Sequence, residues 1–398
     1  YVKLDNELIR KYPTYFRVDA VGLSAGQYVI KVVPYIKGAL DESAAFVSGT
    51  LDVKSYDRSG SAFSSKSPFY GKGVGAYNND GTLKLDAQVL YITKDTAKTV
   101  KADIITNKNG TTTEVTGMQA IIDAKQKGLD TRPLDFRIIG TIDKENMDSF
   151  SSSAEGLQVK GKNAGAELNI TIEGIGSDAT IDGWGFTFFQ SGTCHTEAGK
   201  SFEVRNLTFK NYPEDALGFQ GDDEIASPIE RVWVHNNVFY PGYCANPAES
   251  DKKEGDGSCD FKRGQFYTMS YNHYIGCHKT NLLGAGASDN QYYMTLHHNW
   301  YEKVGSRQPL MAGGNVHIYN TYFQGATNTT VDARGSNAVF LENNYYDSCK
   351  NYYKSRNNTC IAKSYNETFN SGSIGSISGK RTVATSREQS AIADNGLN

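Results

Sequence analysis

The sequence predicts an all-β protein, in which a small β-sandwich of immunoglobulin or fibronectin type precedes a right-handed parallel β-helix. Three observations predict this fold class. Strands with a two-residue period lie in the first 100 residues, a strand followed by Asn recurs in the middle of the chain, and 40 of the 398 residues are Gly. We therefore expect a sandwich at residues 1–100, a β-helix at 101–375 and a polar tail at 376–398.

The N-terminal sandwich is predicted from alternating side chains and turn-forming residues. Tyr28, Ile30 and Val32 alternate with the residues between them, and residues 89–92 form a second apolar run. The Asn, Asp and Gly at residues 78–81 are typical of a turn between strands. Because a fold alone supplies no function, we interpret this part as an accessory module.

A helix and a strand are predicted after the sandwich. Residues 113–127 carry apolar side chains at helical intervals, opened by Thr113 and closed by Gly128. Residues 136–139 form a short apolar run, which predicts a strand.

The β-helix is predicted from an internal repeat, in which a short apolar strand ends at Asn. The repeated asparagines are 31, 35, 27, 21 and 24 residues apart, at Asn206, Asn237, Asn272, Asn299, Asn320 and Asn344. Periods of this length indicate a solenoid, and stacked asparagines can hydrogen-bond from coil to coil. A β-propeller would require a more uniform period of about 40 residues. The longer spacings predict loops on one face, where a solenoid commonly builds its site.

Composition and charge exclude several classes of protein. The net charge of −3 lacks the basic excess typical of nucleic-acid binders, and no apolar run is long enough to span a membrane. The six cysteines are an even number, which favours disulfides and export. The predicted bridges join Cys244 to Cys259 and Cys349 to Cys360, and we expect a secreted monomer.

Three aspartates are predicted to form a calcium site. Asp256 and Asp260 lie in the longest insertion, at residues 240–264, and Asp215 opens a strand of the preceding coil. Equivalent positions in stacked strands lie about 4.8 Å apart, so we expect these carboxylates to converge. Carboxylate oxygens are hard ligands, which suits Ca²⁺.

Three cationic residues are predicted to lie beside the aspartates. Lys262, Lys279 and Arg307 are 17 and 28 residues apart, which is about one coil each. A basic strip of this kind suits an extended polyanion better than a small ligand. By contrast, His297 and His298 are adjacent in a strand and should face opposite sides, so we do not expect them to share a metal.

Several motifs occur in a fixed order along residues 101–350. They include DGSCDFK at residues 256–262, HKT at 278–280, LHHN at 296–299, RQP at 307–309 and VHIYN at 316–320. In this order they resemble the pectate lyases of polysaccharide lyase family one. The resemblance implies a secreted, calcium-dependent enzyme that cleaves α-1,4-polygalacturonate, the backbone of pectin, by β-elimination to 4,5-unsaturated oligogalacturonides.

The resemblance also implies roles for individual residues. Asp215, Asp256 and Asp260 would hold Ca²⁺, and Lys279 would stabilise charge on the substrate carboxylate. Arg307 matches the family's Brønsted base, and the substrate-binding positions are Lys262, Arg263, His278 and Pro309. A guanidinium group is normally protonated, so an arginine base predicts an alkaline optimum.

One position departs from the family pattern. Where the family has a second arginine after the Arg-x-Pro motif, this chain has Ala312. We expect either that methyl-esterified substrate is tolerated at that subsite or that Arg263 or Arg334 replaces the missing charge.

Two other functions are compatible with a β-helix. A polygalacturonase-type hydrolase would use paired carboxylates, for which Asp222 and Asp223 are the candidates. Adjacent strand residues face opposite sides, so this pair could serve one site only in a loop. A non-catalytic β-helix would bind pectin without cleaving it.

Overall fold

The protein winds into a parallel β-helix, as predicted. The computed structural model describes residues 7–151, 156–161, 168–190, 200–221, 229–242, 256–284, 286, 292–335, 337–355, 361–370 and 380–383. In these ranges, successive coils of the chain contribute strands in turn to three parallel sheets. No helix among them is long and apolar enough to cross a membrane.

Sheet 1 has eleven strands, and each is hydrogen-bonded to the strands of the neighbouring coils. In chain order they are Gln88–Ile92, Leu134–Ile138, Leu168–Gly174, Lys200–Arg205, Ile229–His235, Gly264–Ser270, Tyr292–His297, Gly314–Tyr319, Asn337–Glu342, Ile361–Tyr365 and Lys380–Val383. The last strand extends the β-helix beyond residue 375, where the sequence predicted a tail.

Sheets 2 and 3 have nine and eight strands, again in chain order. The strands of sheet 2 are Thr141–Asp143, Thr180–Asp182, Thr208–Lys210, Val238–Tyr240, His273–Ile275, Trp300–Glu302, Tyr322–Gln324, Tyr345–Asp347 and Thr368–Asn370. Those of sheet 3 are Gly156–Gly161, Gly185–Gln190, Asp215–Gln220, Gly257–Lys262, Leu282–Leu283, Leu310–Met311, Thr329–Ala333 and Asn351–Ser355.

The described helices are short. They are the α-helix Met118–Lys125 and the 3₁₀ helices Glu42–Ala44, Ser61–Phe63 and Lys144–Asn146. The helix predicted at residues 113–127 is wrong at its start, because Thr112–Thr116 pairs with Lys101–Ile105 as an antiparallel strand. Gly117 has a φ of 95°, outside the helical range, so the helix begins only after it.

The turn from sheet 1 to sheet 2 carries the predicted asparagine ladder. The Nδ2 atom of Asn237 donates to Oδ1 of Asn272 at 3.1 Å, and Asn272 donates in the same way to Asn299 at 3.1 Å. Each side chain also donates to a backbone carbonyl of the preceding coil, as Asn237 does to Val204 at 2.9 Å. The ladder therefore satisfies backbone groups where the chain leaves the sheet.

Two of the predicted ladder asparagines lie elsewhere. Asn206 and Asn320 have φ values of 56° and 49°, so they occupy the left-handed position immediately before the ladder. Leu207 and Thr321 stand at the ladder position of these two coils, and their backbone N–H groups donate to side-chain oxygens of the next coil. Asparagine suits both positions, because it tolerates left-handed backbone and also stacks through its amide.

An aromatic stack fills the interior behind sheet 2. Neighbouring rings have centroids 4.7–5.3 Å apart and planes within 15° of parallel, along Phe209, Phe239, Tyr274, Tyr301, Phe323, Tyr346 and Phe369. The separation matches the distance between hydrogen-bonded strands. The stack therefore keeps successive coils in register.

Antiparallel strands are present at the N-terminus, as predicted. The pairs are Arg10–Lys11 with Phe16–Arg17, Gly26–Tyr28 with Leu51–Val53, Lys31–Val32 with Phe46–Val47, and Tyr35–Ile36 with Ala39–Leu40. Their large side chains are exposed, with Phe16, Tyr35 and Phe46 at 69%, 71% and 65%. Among the described residues before Ala62, only Tyr56 packs against a hydrophobic core cluster, which contains Ala62, Val74 and Trp233, so a sandwich here stays a prediction.

The second part of the predicted sandwich belongs to the β-helix. The strand Gln88–Ile92, assigned to the sandwich from sequence, pairs in parallel with Leu134–Ile138 and begins sheet 1. Residues 56–84, which we call the strap, cross the outer face of sheet 1 and bind its side chains. The backbone N–H groups of Ser61, Ala62, Gly75 and Ala76 donate to the hydroxyls of Thr295, Thr268, Ser201 and Thr171, respectively.

A buried network of charges lies beneath the strap. Arg205 donates to Glu173 at 2.6 Å and to Glu203 at 3.1 Å, and Arg137 pairs with Asp135 at 3.0 Å and with Glu173 at 3.2 Å. None of these side chains is more than 5% exposed. Burial raises the pKa of Glu203, but Arg205 and His235 outweigh it, so the pKa is lowered from its ordinary value.

The two predicted disulfides are wrong. Cys259 and Cys349 are free thiols, buried in the β-helix core, while Cys194, Cys244 and Cys360 lie outside the described residues. Cys259 lies 3.1 Å from the hydroxyl of Tyr267, and Cys349 lies 3.3 Å from the carbonyl of Phe323. Both sulfurs therefore fill interior positions of a coil, which close spacing in sequence does not reveal.

Candidate active site

Two of the three predicted aspartates lie close together on sheet 3. Asp215 begins one strand and is paired in register with Gly257 on the next. A Cβ atom at Gly257 would lie 2.3 Å from Oδ1 of Asp215 and 3.0 Å from Oδ1 of Asp260. Glycine at this position therefore leaves the space that these two carboxylates occupy.

Asp260 is a buried carboxylate in a strongly charged environment. Its Oδ1 accepts from the backbone N–H of Leu282 at 2.9 Å, and its Oδ2 lies 3.6 Å from Nζ of Lys262. Burial raises the pKa of Asp260, and the nearby Asp256 raises it further, against the opposing effects of Lys262, Leu282 and Arg307. A buried carboxyl beside a second carboxylate fits a bound cation, which would favour its ionised form.

Asp256 forms an ion pair with a lysine. Nζ of Lys279 donates to Oδ1 of Asp256 at 2.6 Å, and both side chains are largely buried. Asp215, Asp256 and Asp260 accordingly do not form a group of described residues whose oxygens all lie within 4.8 Å of one another. Asp215 and Asp260 would thus form the centre of a cation site, with Asp256 beside them.

Arg307 lies on the coil next to Lys279. Lys279 forms a parallel bridge with Ser306, and the backbone N–H of Asn281 donates to the carbonyl of Arg307 at 2.8 Å. Arg307 itself is half-buried, has a φ of 62° and acts electrostatically on Asp260. A lysine, an arginine and the carboxylates therefore meet at one end of these strands.

His278 and Pro309 frame this end of the site. His278 is half-buried, and its carbonyl accepts from the backbone N–H of Ser306 at 3.0 Å. Pro309 is buried and follows a cis peptide bond with Gln308. The backbone N–H of Gln308 donates to the carbonyl of Thr330 at 2.9 Å. These two hydrogen bonds link neighbouring coils, so they hold the backbone on both sides of Arg307.

The predicted basic residues lie around one carboxylate. Lys262 ends the strand that Gly257 begins, and its Nζ lies 3.6 Å from Oδ2 of Asp260, on which Arg307 also acts electrostatically. Arg263 follows Lys262 with a φ of 57° and is half-buried. Positive charge from more than one coil therefore acts on Asp260.

Ala312 and Arg334 are consecutive in the stack of coils. The N–H of Ala312 donates to the carbonyl of Leu283, and the N–H of Arg334 donates to that of Met311, both at 2.8 Å. Ala312 is fully buried, whereas Arg334 is half-buried on the next coil. Of the two arginines considered as replacements, Arg334 is the one adjacent to Ala312.

Two residues near the site were missed from sequence. Asn281, fully buried, binds Arg307 through its backbone and accepts from the hydroxyl of Tyr301 at 2.7 Å. Asp332 is a buried acid in the strand Thr329–Ala333, in register with Leu310. A single ionisable residue in the strand TTVDA was the available signal for Asp332. The rival pair Asp222 and Asp223 lies outside the described residues.

A family model described as pectate lyase matches residues 91–394. The chain belongs to the pectate lyase family. Within this family, it is 30% identical over 245 residues to a pectate trisaccharide-lyase of Bacillus licheniformis, covering 60% of this chain and 63% of the relative. It is 29% identical over 225 residues to pectate lyase 2 of Pectobacterium carotovorum, covering 56% of each. The match thus spans under two thirds of the length of these curated relatives.

Solved pectate lyases share the fold. A pectate lyase from Bacillus sp. N165, solved in complex with trigalacturonate, matches with a TM-score of 0.54 and 22% identity, over 78% of this chain and 87% of that one. Pectate lyase C from Erwinia chrysanthemi, solved with Ca²⁺, matches with a TM-score of 0.50 and 21% identity, over 76% and 81%. At this identity the similarity supports the parallel β-helix itself.

Proposed function

We propose that this member of the pectate lyase family is a calcium-dependent lyase that cleaves α-1,4-polygalacturonate by β-elimination. One observation carries the proposal. The buried carboxylates of Asp215 and Asp260 share the space above Gly257, and Lys279 and Arg307 lie on the next two coils. Relatives solved with trigalacturonate and with Ca²⁺ support the same substrate and ion.

Asp215, Asp256 and Asp260 would hold the calcium ion. Their donor set is hard oxygen, and two of the oxygens already share the space above Gly257. Bound Ca²⁺ would withdraw charge from a uronate carboxylate and so acidify the adjacent C5–H bond. In the protein alone, the ammonium of Lys279 compensates the charge of Asp256.

The reaction requires a base and a cation on the substrate carboxylate. We assign the base to Arg307, which takes the proton from C5 as the C4=C5 double bond forms and the C4–O bond breaks. Lys279 is assigned to the negative charge that develops on the adjacent carboxylate. The leaving oxygen takes a proton from solvent, so an unsaturated and a saturated end result without hydrolysis.

The remaining predicted residues are assigned to substrate binding. Lys262 and Arg263 would bind uronate carboxylates beside Asp260, and His278 and Pro309 would shape the part of the site near Arg307. A polymer with one carboxylate per sugar matches positive charge carried by successive coils. Because such a polymer cannot enter a cell intact, we propose that the enzyme acts outside the cell as a monomer.

The proposal is tested by following the products of polygalacturonate. Ultraviolet absorbance from unsaturated ends should appear with Ca²⁺, disappear with a chelator and return when Ca²⁺ is restored. Reducing ends without absorbance would instead mean hydrolysis, and binding without either product would mean a non-catalytic pectin-binding β-helix. Both results would overturn the lyase assignment.

An Arg334→Ala variant should raise KM for polygalacturonate about tenfold, with little change in kcat. Arg334 is adjacent to Ala312, so it supplies the charge that Ala312 lacks, and one charge-assisted contact has roughly this energy. On highly methyl-esterified pectin the variant and the wild type should differ little, because esterification removes the carboxylate. Steady-state kinetics on both substrates check this, with the exposed Lys98→Ala as a control. An unchanged KM on polygalacturonate would contradict it.

A Gly257→Ala variant should bind Ca²⁺ about tenfold more weakly while remaining folded. The added Cβ would overlap Oδ1 of Asp215 at 2.3 Å and push the carboxylate away. Calorimetric titration with Ca²⁺ measures the effect. Gly49→Ala is the control, because a Cβ there meets nothing within 4 Å. Equal Ca²⁺ affinity in both variants would show that the ion lies elsewhere.

A further inference from the structure

A second cluster of metal-binding side chains lies on the outer face of sheet 1, away from the proposed calcium site on sheet 3. His297 ends the strand Tyr292–His297, and His298 follows it with a φ of 52°. This left-handed residue interrupts the alternation of strand side chains on which the sequence prediction relied. The Nδ1 atoms of the two rings lie 2.9 Å apart, so both histidines face the same point.

The strap brings a carboxylate to the same point. Oδ2 of Asp57 lies 4.0 Å from Nδ1 of His297. One ligand atom from each of Asp57, His297 and His298 lies within 4.8 Å of the other two. Among the described residues, this is the one group of three His, Cys, Asp or Glu side chains that is so close.

The ring of His297 is oriented by its surroundings. Its Nε2 lies 3.3 Å from the carbonyl of Ser59, and that carbonyl can only accept, so Nε2 carries the proton. Nδ1 is consequently left with its lone pair directed at His298. The ring is also stacked on Tyr319, with centroids 4.8 Å apart. A histidine whose second nitrogen binds a backbone carbonyl is the usual arrangement of a metal ligand.

The other two ligands are also held in place. Tyr271 stacks on His298 at 4.6 Å and donates through its hydroxyl to Oδ2 of Asp57 at 3.0 Å. The exposed amide of Asn320 lies 3.3 Å from Nε2 of His298, and rotation of this amide accommodates either tautomer of the ring. Each of the three ligand side chains therefore has a second contact that orients it.

The donor set defines the class of ion. Two imidazole nitrogens and one carboxylate oxygen suit zinc and similar divalent transition metals, whereas Ca²⁺ prefers oxygen alone. With zinc–nitrogen distances of about 2.0–2.1 Å, two nitrogens of a tetrahedral site lie about 3.3 Å apart. The nitrogens are already near this separation, and Oδ2 of the partly exposed Asp57 is about 0.7 Å farther than this from Nδ1 of His297.

We propose that Asp57, His297 and His298 form a second metal site, which takes a divalent transition cation of the zinc class and fastens the strap to sheet 1. The site is independent of the calcium site and of the lyase activity. Because Asp57 comes from the strap and both histidines from the β-helix, bound metal cross-links two parts of the chain far apart in sequence.

The test is a titration of chelator-treated, dialysed protein with Co²⁺, followed by its visible d–d absorption. The wild type should show one saturable band that Zn²⁺ displaces, and Zn²⁺ should raise its thermal midpoint. Asp57→Asn and His298→Gln should lose both effects; these side chains are not fully buried, so the variants should fold. Tyr271→Phe should bind about ten- to hundredfold more weakly, because an outer contact to Asp57 is removed.

His273→Gln is the matched control. His273 stacks on Trp300 and pairs with Glu302 at 3.0 Å on sheet 2, away from the cluster, and its variant should keep the band. Absence of the band from the wild type would mean that the histidines only hydrogen-bond each other. A band of equal affinity in Asp57→Asn and His298→Gln would mean that Co²⁺ binds elsewhere. Either result overturns the proposal.

Discussion

An Arg307→Lys variant is expected to lose about 10²- to 10⁴-fold in kcat on polygalacturonate, the range associated with general acid–base catalysis. The substitution keeps the positive charge that acts on Asp260, so Ca²⁺ affinity and KM should change by a few-fold at most. What changes is the position and geometry of the proton acceptor, because a lysine presents a point charge instead of a planar guanidinium.

Initial rates of ultraviolet absorbance across a pH series measure this effect. Arg132→Lys is the matched control, since Arg132 pairs with Asp130 at 2.6 Å, outside the proposed site. Full activity of Arg307→Lys at neutral pH would contradict the assignment of Arg307 as the base.

An Arg205→Met variant is expected to lose about 3–5 kcal/mol of unfolding free energy at neutral pH. Arg205 contacts Glu173 at 2.6 Å and Glu203 at 3.1 Å, and the substitution would leave both carboxylates buried without this partner. Lys101→Met, in an exposed pair with Glu114, is the control and should cost under about 1 kcal/mol.

The pH dependence of this loss has a definite sign. The pKa values of Glu173 and Glu203 are lowered in the folded protein, so their contribution to stability is present above the ordinary pKa and is lost as the pH falls. The difference between Arg205→Met and the wild type should accordingly shrink in acid. Urea unfolding at neutral and acidic pH measures it. A loss below about 1 kcal/mol at neutral pH would show that the network is not stabilised by Arg205.

The sequence was informative wherever the fold repeats. The asparagine spacings predicted the β-helix, because each coil must turn at the same place and asparagine satisfies the backbone there. The same spacings did not distinguish the ladder position of Asn237 from the left-handed position of Asn206, since one residue type suits both. The sequence also predicted Asp215, Asp256 and Asp260 as one site, and strand pairing places Asp215 in register with Gly257, three residues before Asp260.

Features that depend on distant parts of the chain were not predicted. The strap was assigned to the sandwich from sequence. The hydroxyls that bind the strap lie in later coils, so they leave no pattern in the sequence of the strap itself. His297 and His298 were expected to face apart, and only the backbone angle at His298 brings them together. Cys259 was paired with Cys244, and Cys349 with Cys360, because each pair is close in sequence, although Cys259 and Cys349 are buried in the β-helix core.

The strap also has a consequence for the order in which the chain folds. Ser61 binds Thr295, a residue synthesised 234 positions later. At about 5–20 residues per second, the strap waits roughly 12–47 s for this partner, while the coils between them assemble one upon another. The strap is therefore made before the coils that it crosses and cannot complete its docking until Thr295 has been made, and until then the outer face of that coil is open to solvent and to other chains.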